Sequence, residues 1–97
     1  MFALLTTAKL KADTQNDAIR IFDAKVVSAA KMQKGFRAIY LLTDSKTGKT
    51  VSISIWESRD DAINCERSGY YKAQLDEFQG FCTAPLAPEV YEVSVHG

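Results

Sequence analysis

The stretch VSISIWESRDDA, Val51–Ala62, contains the end of one structural element and the start of the next. Residues 51–56 alternate β-branched with small side chains up to Trp56, and this period of two is typical of a strand. Ser58 then begins a Ser-x-x-Asp sequence that can cap a helix, with Asp60 and Asp61 complementing the helix dipole. The stretch therefore predicts a strand joined directly to a helix, with the only tryptophan of the chain at the junction.

A second strand is predicted just before this one. FRAIYLLTD, residues 36–44, is rich in β-branched and aromatic residues, and SKTGK connects it to TVSISIWE, residues 50–57. Gly48 can adopt the positive φ that a hairpin loop needs, so the two strands are expected to be antiparallel neighbours. Strict alternation along residues 36–44 places Phe36, Tyr40 and Leu42 on one face of this strand. Ile39 and Leu41 are then expected on the opposite face.

The N-terminal third of the chain predicts a strand and a long helix. The strand runs from Phe2 to about Leu10, and TQND, residues 14–17, then offers a Thr-x-x-Asp helix start. The helix is expected to span about Thr14 to Lys34 and to end at Gly35. Its predicted buried stripe has spacings of three and four residues: Ile19, Phe22, Val26, Ala29 and Ala30.

The C-terminal third predicts more helix and one more strand. The helix that begins at Ser58 is expected to break at Ser68–Gly69. A further helical stretch places Tyr71, Leu75 and Phe78 on one face and is expected to end at Gly80. Pro85 and Pro88 are expected to exclude regular structure from APLAP, and EVYEVSVH, residues 89–96, alternates like a strand.

The predicted order β-α-β-β-α-β is that of a ferredoxin-like α+β sandwich with a four-stranded antiparallel sheet. At 97 residues the chain is expected to form a single domain, residues 1–97. The helices of this fold cover only one face of the sheet. Because the strands carry apolar residues in both phases, the uncovered face is expected to meet a second sheet.

Composition excludes several kinds of partner. Lys plus Arg and Asp plus Glu number 12 each, so the chain has no basic surface stripe for nucleic acid.

No stretch is long enough to span a bilayer, and MFALLTTAKL lacks the features of a signal peptide. We therefore expect a cytoplasmic protein in which Cys65 and Cys82 are free thiols. One histidine, His96, is too few for a metal cluster.

A family resemblance rests on three segments. Trp56-Glu57-Ser58 closing a strand, the SGYY segment at residues 68–71, and the final EVYEVSV strand together resemble the antibiotic biosynthesis monooxygenase (ABM) family. The resemblance implies a homodimer in which two ferredoxin-like sheets form a dimeric α/β barrel. It also implies cofactor-free oxygenation of a small phenolic or quinol-like substrate, and thus a possible monooxygenase.

This chain lacks histidines that many family members carry and that could act as acid, base or iron ligand. Many members carry histidines nine and fourteen residues beyond the tryptophan, where this chain has Cys65 and Tyr70. The haem-degrading branch has its iron-binding histidine close to Leu75, and leucine cannot ligate iron. No cofactor and no metal are therefore expected, and haem degradation ranks third. A non-catalytic ligand-binding or structural homodimer is the main alternative to an enzyme.

The expected pocket lies between the sheet and the helices, and its catalytic residues are not assigned. The candidates for binding a small aromatic ligand are Trp56, Tyr70, Cys65, Tyr40 and Arg37. Each has a simpler explanation. Tyrosines commonly cover a sheet, an arginine on a strand is commonly solvated, and cysteine is commonly a small buried hydrophobe. Trp56 itself is expected mainly to pack the strand against the helix.

Overall fold

The computed structural model describes the backbone of residues 1–97 and every side chain except that of Tyr70. Its strands are β1 (Phe2–Lys9), β2 (Phe36–Thr43), β3 (Lys49–Trp56) and β4 (Ala87–Glu92). Its helices are α1 (Gln15–Ile21), a π-helical segment (Phe22–Val26), α2 (Val27–Lys31), α3 (Arg59–Arg67) and α4 (Gly69–Gln79). The order confirms the ferredoxin-like βαββαβ prediction.

The described strands form one antiparallel sheet in the order β2-β3-β1-β4. In the central pair, Leu4 lies opposite Ser54, and Phe2 lies opposite Trp56. Leu4, Ser54 and Trp56 are buried, and Leu4 and Trp56 pack against Ala62 of α3. This side of the sheet is therefore the one that the helices cover.

Strand β2 departs from strict alternation. Its register against β3 shifts between Phe36 and Ala38, which pair with Trp56 and Ile55 respectively, so Arg37 is an extra residue in a bulge. Phe36 consequently faces the helices and packs beside Trp56. The prediction that Phe36 shares a face with Tyr40 and Leu42 was therefore wrong, because a bulge inverts the phase of the residues before it.

The first helix contains a π-helical segment, and its buried residues recur every four positions: Ala18, Phe22, Val26 and Ala30. In a regular α-helix a period of four drifts away from one face, since a turn contains 3.6 residues. The wider π turn absorbs part of this drift and keeps the stripe towards the sheet. Ile19, predicted to be in that stripe, is instead 38% exposed.

The start of this helix also differs from the prediction. Thr14 is the N-cap residue, but its side chain makes no capping hydrogen bond and instead donates to the carbonyl of Lys11 at 2.7 Å. The helix ends at Lys31, and Gly35 follows with φ of 79°. Gly35 therefore supplies the left-handed turn that leads into β2, whereas the predicted helix to Lys34 was three residues too long.

The second helical pair follows its sequence signals closely. The hydroxyl of Ser58 accepts the backbone N–H of Asp61 at 3.1 Å, as predicted. At the predicted break, the hydroxyl of Ser68 donates to the carbonyl of Cys65 at 2.7 Å and accepts the N–H of Tyr71 at 3.1 Å. One side chain thus closes α3 and opens α4.

α4 ends at Gln79 with Gly80 as its C-cap residue, as predicted, and Gly80 has a φ of −60°. The predictions for the last strand were wrong. Strand β4 includes Pro88 and ends at Glu92 rather than at His96. Proline is tolerated there because β4 is an edge strand, where one row of backbone N–H groups needs no partner in the sheet.

The face of the sheet opposite the helices is apolar and open. Tyr40, Leu42 and Tyr91 are 55%, 50% and 50% exposed, and Ile53 and Ile55 lie on the same face. This agrees with the apolar residues that the sequence has in both phases of its strands. Within the described residues no helix is long and apolar enough to cross a membrane.

Candidate functional site

A cavity of about 70 Å³ lies between the helix-facing side of the sheet and the helices. These residues line its sheet side: Leu4, Thr6, Ile39, Leu41, Thr50, Ser52, Ser54 and Trp56. The helices contribute Phe22, Val26, Ala30, Cys65, Tyr71, Gln74, Leu75 and Phe78. Its volume suits several waters, and its walls are mostly apolar with a few polar atoms.

Trp56 lines the cavity and is only 1% exposed. Its indole N–H donates to Ser54 Oγ at 2.9 Å, which satisfies the polar atom of the ring. The ring also meets Phe36 edge to face, with 5.8 Å between centroids. Trp56 therefore joins β3, β2 and α3 and at the same time forms part of the cavity wall.

A pair of hydroxyl groups supplies the main polar contact in the cavity. Thr6 Oγ1 on β1 and Tyr71 Oη on α4 lie 2.7 Å apart. Burial raises the pKa of Tyr71, while the hydrogen bond with Thr6 lowers it and the nearby Cys65 and Glu66 raise it. Tyr71 therefore stays protonated near neutral pH. Since one hydroxyl hydrogen is used within the pair, the other can be donated to a ligand oxygen.

Cys65 lines the cavity as a thiol rather than a thiolate. It is 5% exposed, and burial, followed by the charge of Glu66, raises its pKa to about 11. The thiolate is the nucleophilic form of cysteine, so this residue is inert near neutral pH. The second cysteine, Cys82, is also buried and free and belongs to a separate hydrophobic cluster.

Gln74 contributes a polar atom without a partner. Its amide oxygen is fully buried and accepts no hydrogen bond from any described group. The residue lies one helical turn beyond Tyr71 on α4 and lines the same cavity. A buried acceptor of this kind costs about 1–3 kcal/mol unless something donates to it.

The structure brings together two of the residues predicted for the pocket. Trp56 and Cys65 both line the cavity. Tyr40 lies on the opposite face of the sheet, and Arg37 lies in the exposed bulge, where its guanidinium pairs with Glu57 at 2.8 Å. The side chain of Tyr70 is outside the described residues, so its role in binding stays a prediction.

Sequence reasoning missed Tyr71 and Gln74 as cavity residues. The spacing of Tyr71, Leu75 and Phe78 did indicate a core-facing surface of α4, and Gln74 lies between them on that surface. A glutamine among core-facing positions was the available signal. Among the described residues, no group of three or more His, Cys, Asp or Glu could hold a metal ion.

A four-stranded antiparallel sheet, helices on one of its faces and a small aromatic-lined cavity between them define a small ferredoxin-like α+β protein. Within that class, the chain belongs to the antibiotic biosynthesis monooxygenase family, whose model matches residues 1–77. No curated protein matches the chain.

Several solved structures share the fold over nearly the whole chain. A monooxygenase from Streptomyces coelicolor (ActVA-Orf6), in complex with nanaomycin D, is 13% identical with a TM-score of 0.82, covering 98% of this chain and 88% of that one. SnoaB, a cofactor-independent oxygenase from Streptomyces nogalater solved as a mutant, is 12% identical with a TM-score of 0.80, covering 98% and 94%.

A third structure is Rv0793 from Mycobacterium tuberculosis, which is 18% identical with a TM-score of 0.78, covering 98% of this chain and 96% of that one. At these identities the likeness is one of fold.

Proposed function

We propose that the protein is a cofactor-independent monooxygenase that oxidises a small phenolic or quinol-like molecule with O₂. The observation that carries the proposal is the cavity, in which apolar walls surround the Thr6–Tyr71 hydroxyl pair. Membership of the family supports the reaction type. The volume of about 70 Å³ is about half of the ~150 Å³ of a cavity that binds benzene, so even a substrate with one ring requires the side chains of the cavity wall to move outwards.

The reaction needs an electron-rich anion of the substrate. A phenolate transfers an electron to O₂, the two radicals combine at a ring carbon, and loss of water leaves a quinone. One oxygen atom of O₂ enters the product and the other leaves as water, so phenol plus O₂ gives quinone plus H₂O. Donated hydrogen bonds stabilise the phenolate, and apolar walls exclude water.

The hydroxyl pair is placed to supply that stabilisation. Tyr71 remains a neutral donor near pH 7 because burial raises its pKa. None of the described residues that line the cavity is a carboxylate, a histidine, a lysine or an arginine. The substrate must therefore lose its proton through its own acidity, and oxidation should accelerate as pH rises through the pKa of the substrate.

Oxygen uptake by the purified protein with one-ring quinols tests the proposal. With a quinol we expect uptake above the protein-free rate, with one hydroxyquinone and no H₂O₂ formed for each O₂ consumed, because one oxygen atom enters the product and the other leaves as water. The rate should decrease by about 10²-fold or more in Tyr71→Phe. Tyr91→Phe is the matched control, because Tyr91 is exposed on the opposite face. Uptake equal to the protein-free rate for every quinol would contradict the proposal.

A non-catalytic ligand-binding protein is the second candidate. The observation in its favour is that the cavity offers no group that is a base near neutral pH: Cys65 has its pKa raised to about 11, and the pKa of Tyr71 is also raised. Saturable binding of one-ring phenols without any oxygen uptake would establish this alternative.

We further propose that the chain forms a homodimer through the open sheet face. Tyr40, Leu42 and Tyr91 are each at least half exposed there, and monomers rarely leave a large apolar patch uncovered. Two such faces would pack into an α/β barrel. Sedimentation at micromolar concentration should give about twice the chain mass of 10.8 kDa.

A charged substitution on the same face sharpens this test. Leu42→Lys should shift the protein towards the monomer, because it places a charge within the apolar face that would be buried. Met32→Lys is the matched control, since Met32 is 86% exposed on a loop after α2. A parent protein that sediments as a monomer would refute the dimer.

A further inference from the structure

We infer that Gln74 determines ligand specificity by requiring a hydrogen-bond donor on the ring that enters the cavity. The inference deepens the proposed function and rests on it for the class of ligand. It starts from the amide oxygen of Gln74, which is buried, lines the cavity and accepts no hydrogen bond from any described group.

The position of Gln74 on α4 directs the residue towards the ligand space. Tyr71, Gln74 and Phe78 follow at spacings of three and four residues, which is one face of a helix, and all three line the cavity. Tyr71 already has Thr6 as its partner, and Phe78 packs edge to face against Phe22. Gln74 is therefore the polar residue of this face with an unused acceptor.

Such an acceptor is unfavourable unless something donates to it. Leucine at the same place would add apolar contact without an acceptor to satisfy. A ligand hydroxyl satisfies the acceptor by donating to the amide oxygen. An isosteric methyl group leaves the acceptor unpaired, so the site discriminates between the two ligands.

The cavity then has complementary polar groups for one kind of ring substituent. Gln74 accepts, and the Thr6–Tyr71 pair has one hydroxyl hydrogen left to donate. A quinol offers a donor and an acceptor at each of two ring positions, and a phenol offers both at one position. Aromatic hydrocarbons and phenol ethers lack the donor that Gln74 needs.

Binding of phenol and toluene to the parent protein and to Gln74→Leu tests the inference. The two probes have nearly the same shape and differ by a hydroxyl in place of a methyl group. Titration calorimetry gives a Kd for each, and the ratio of the toluene Kd to the phenol Kd measures the preference for a donor. We expect this ratio to fall about tenfold or more in Gln74→Leu, equivalent to about 1.4 kcal/mol.

Control variants separate specificity from folding. Gln15→Leu removes an amide that donates to the carbonyl of Asp44, and neither residue lines the cavity, so the ratio should not change. Gln74→Leu should melt at or above the temperature of the parent, because it removes an unpaired acceptor. Gln74→Met, which is unbranched, provides a second measurement of the ratio.

The outcomes distinguish this inference from the proposed oxygenase. A ratio that changes less than twofold in both Gln74 variants would overturn the role of Gln74, even if quinol oxidation is observed. A Gln74-dependent ratio without oxygen uptake would support the role and refute the oxygenase. Failure of the parent protein to bind either probe would overturn the inference itself.

Discussion

Replacement of Trp56 by alanine should remove a large part of the stability of the protein. The ring is 1% exposed, meets Phe36 edge to face and donates to Ser54. Truncating a buried tryptophan costs about 3–5 kcal/mol, and Ser54 Oγ would also lose its donor. We expect about 4 kcal/mol, compared with the roughly 5–15 kcal/mol available to a small protein.

That loss corresponds to a large change in melting temperature. For 60–100 residues, 1 kcal/mol shifts Tm by about 4–8 °C, so Trp56→Ala should lower Tm by roughly 15–30 °C. Trp56→Phe keeps a ring in the same place and loses the hydrogen bond to Ser54, so it should cost only about 1–2 kcal/mol.

Thermal unfolding followed by circular dichroism at one fixed protein concentration measures both variants, because association makes Tm depend on concentration. Met32→Ala is the control, since Met32 is 86% exposed and should not change Tm. If Trp56→Ala melts within about two degrees of the parent, the packing role is refuted. If Trp56→Phe is fully folded but no longer binds phenol, contact of the indole with the ligand gains support.

Two further predictions concern the backbone and the thiol. Gly35→Ala should lower the free energy of unfolding in urea by more than about 1–2 kcal/mol, because φ is 79° and the new Cβ would collide with the carboxylate of Asp61. Gly69→Ala places its Cβ in open space and should be neutral or stabilising, so equal effects of the two substitutions would contradict this reasoning. Because the pKa of Cys65 is raised from 9.0 to about 11, its contribution to stability is complete below pH 9 and is lost as pH rises to 11. The Tm of Cys65→Ala should therefore fall less steeply between pH 9 and pH 11 than the Tm of the parent. Equal slopes of Tm against pH in the two proteins would refute the raised pKa of Cys65.

Several local signals with a direct physical cause were read correctly from the sequence. Ser58 marks a helix start because a serine hydroxyl satisfies a free backbone N–H, and this hydrogen bond is present, whereas the same signal at Thr14 gave no capping hydrogen bond. The helix break at Ser68–Gly69 was also predicted, but the capping of α4 by Ser68 was not. Gly48 has φ of 76°, as the hairpin required. These short-range causes, together with the alternation in β3, were enough to give the order of the elements and the fold.

Features that depend on longer-range packing were not readable. The bulge at Arg37 inverts the phase of Phe36, and no residue type in β2 requires a bulge. The π-helical segment follows from the need to keep Phe22 and Val26 towards the sheet, which is a tertiary constraint. Pro88 lies in a strand because β4 is at the edge, and strand order is a property of the folded sheet.

The candidate site was harder to predict than the fold for the same reason. Trp56 was identified because it is unique and lies at a junction, and Cys65 was identified by its spacing from Trp56. Tyr40 was grouped with them for its chemistry, although strand parity points it to the other face. Gln74 required knowledge of which polar atoms lack a partner, and a sequence does not contain that information.

Ser68 lies at the bend between α3 and α4, and both helices line the cavity. Cys65 comes before the bend at Ser68, whereas Tyr71 and Gln74 come after it. This wall of the cavity therefore consists of two helices, α3 and α4, that meet at Ser68. The angle between α3 and α4 sets the distance between α4 and the sheet. A substitution at Ser68 that changed the angle would alter the range of ligand sizes without changing any residue that lines the cavity.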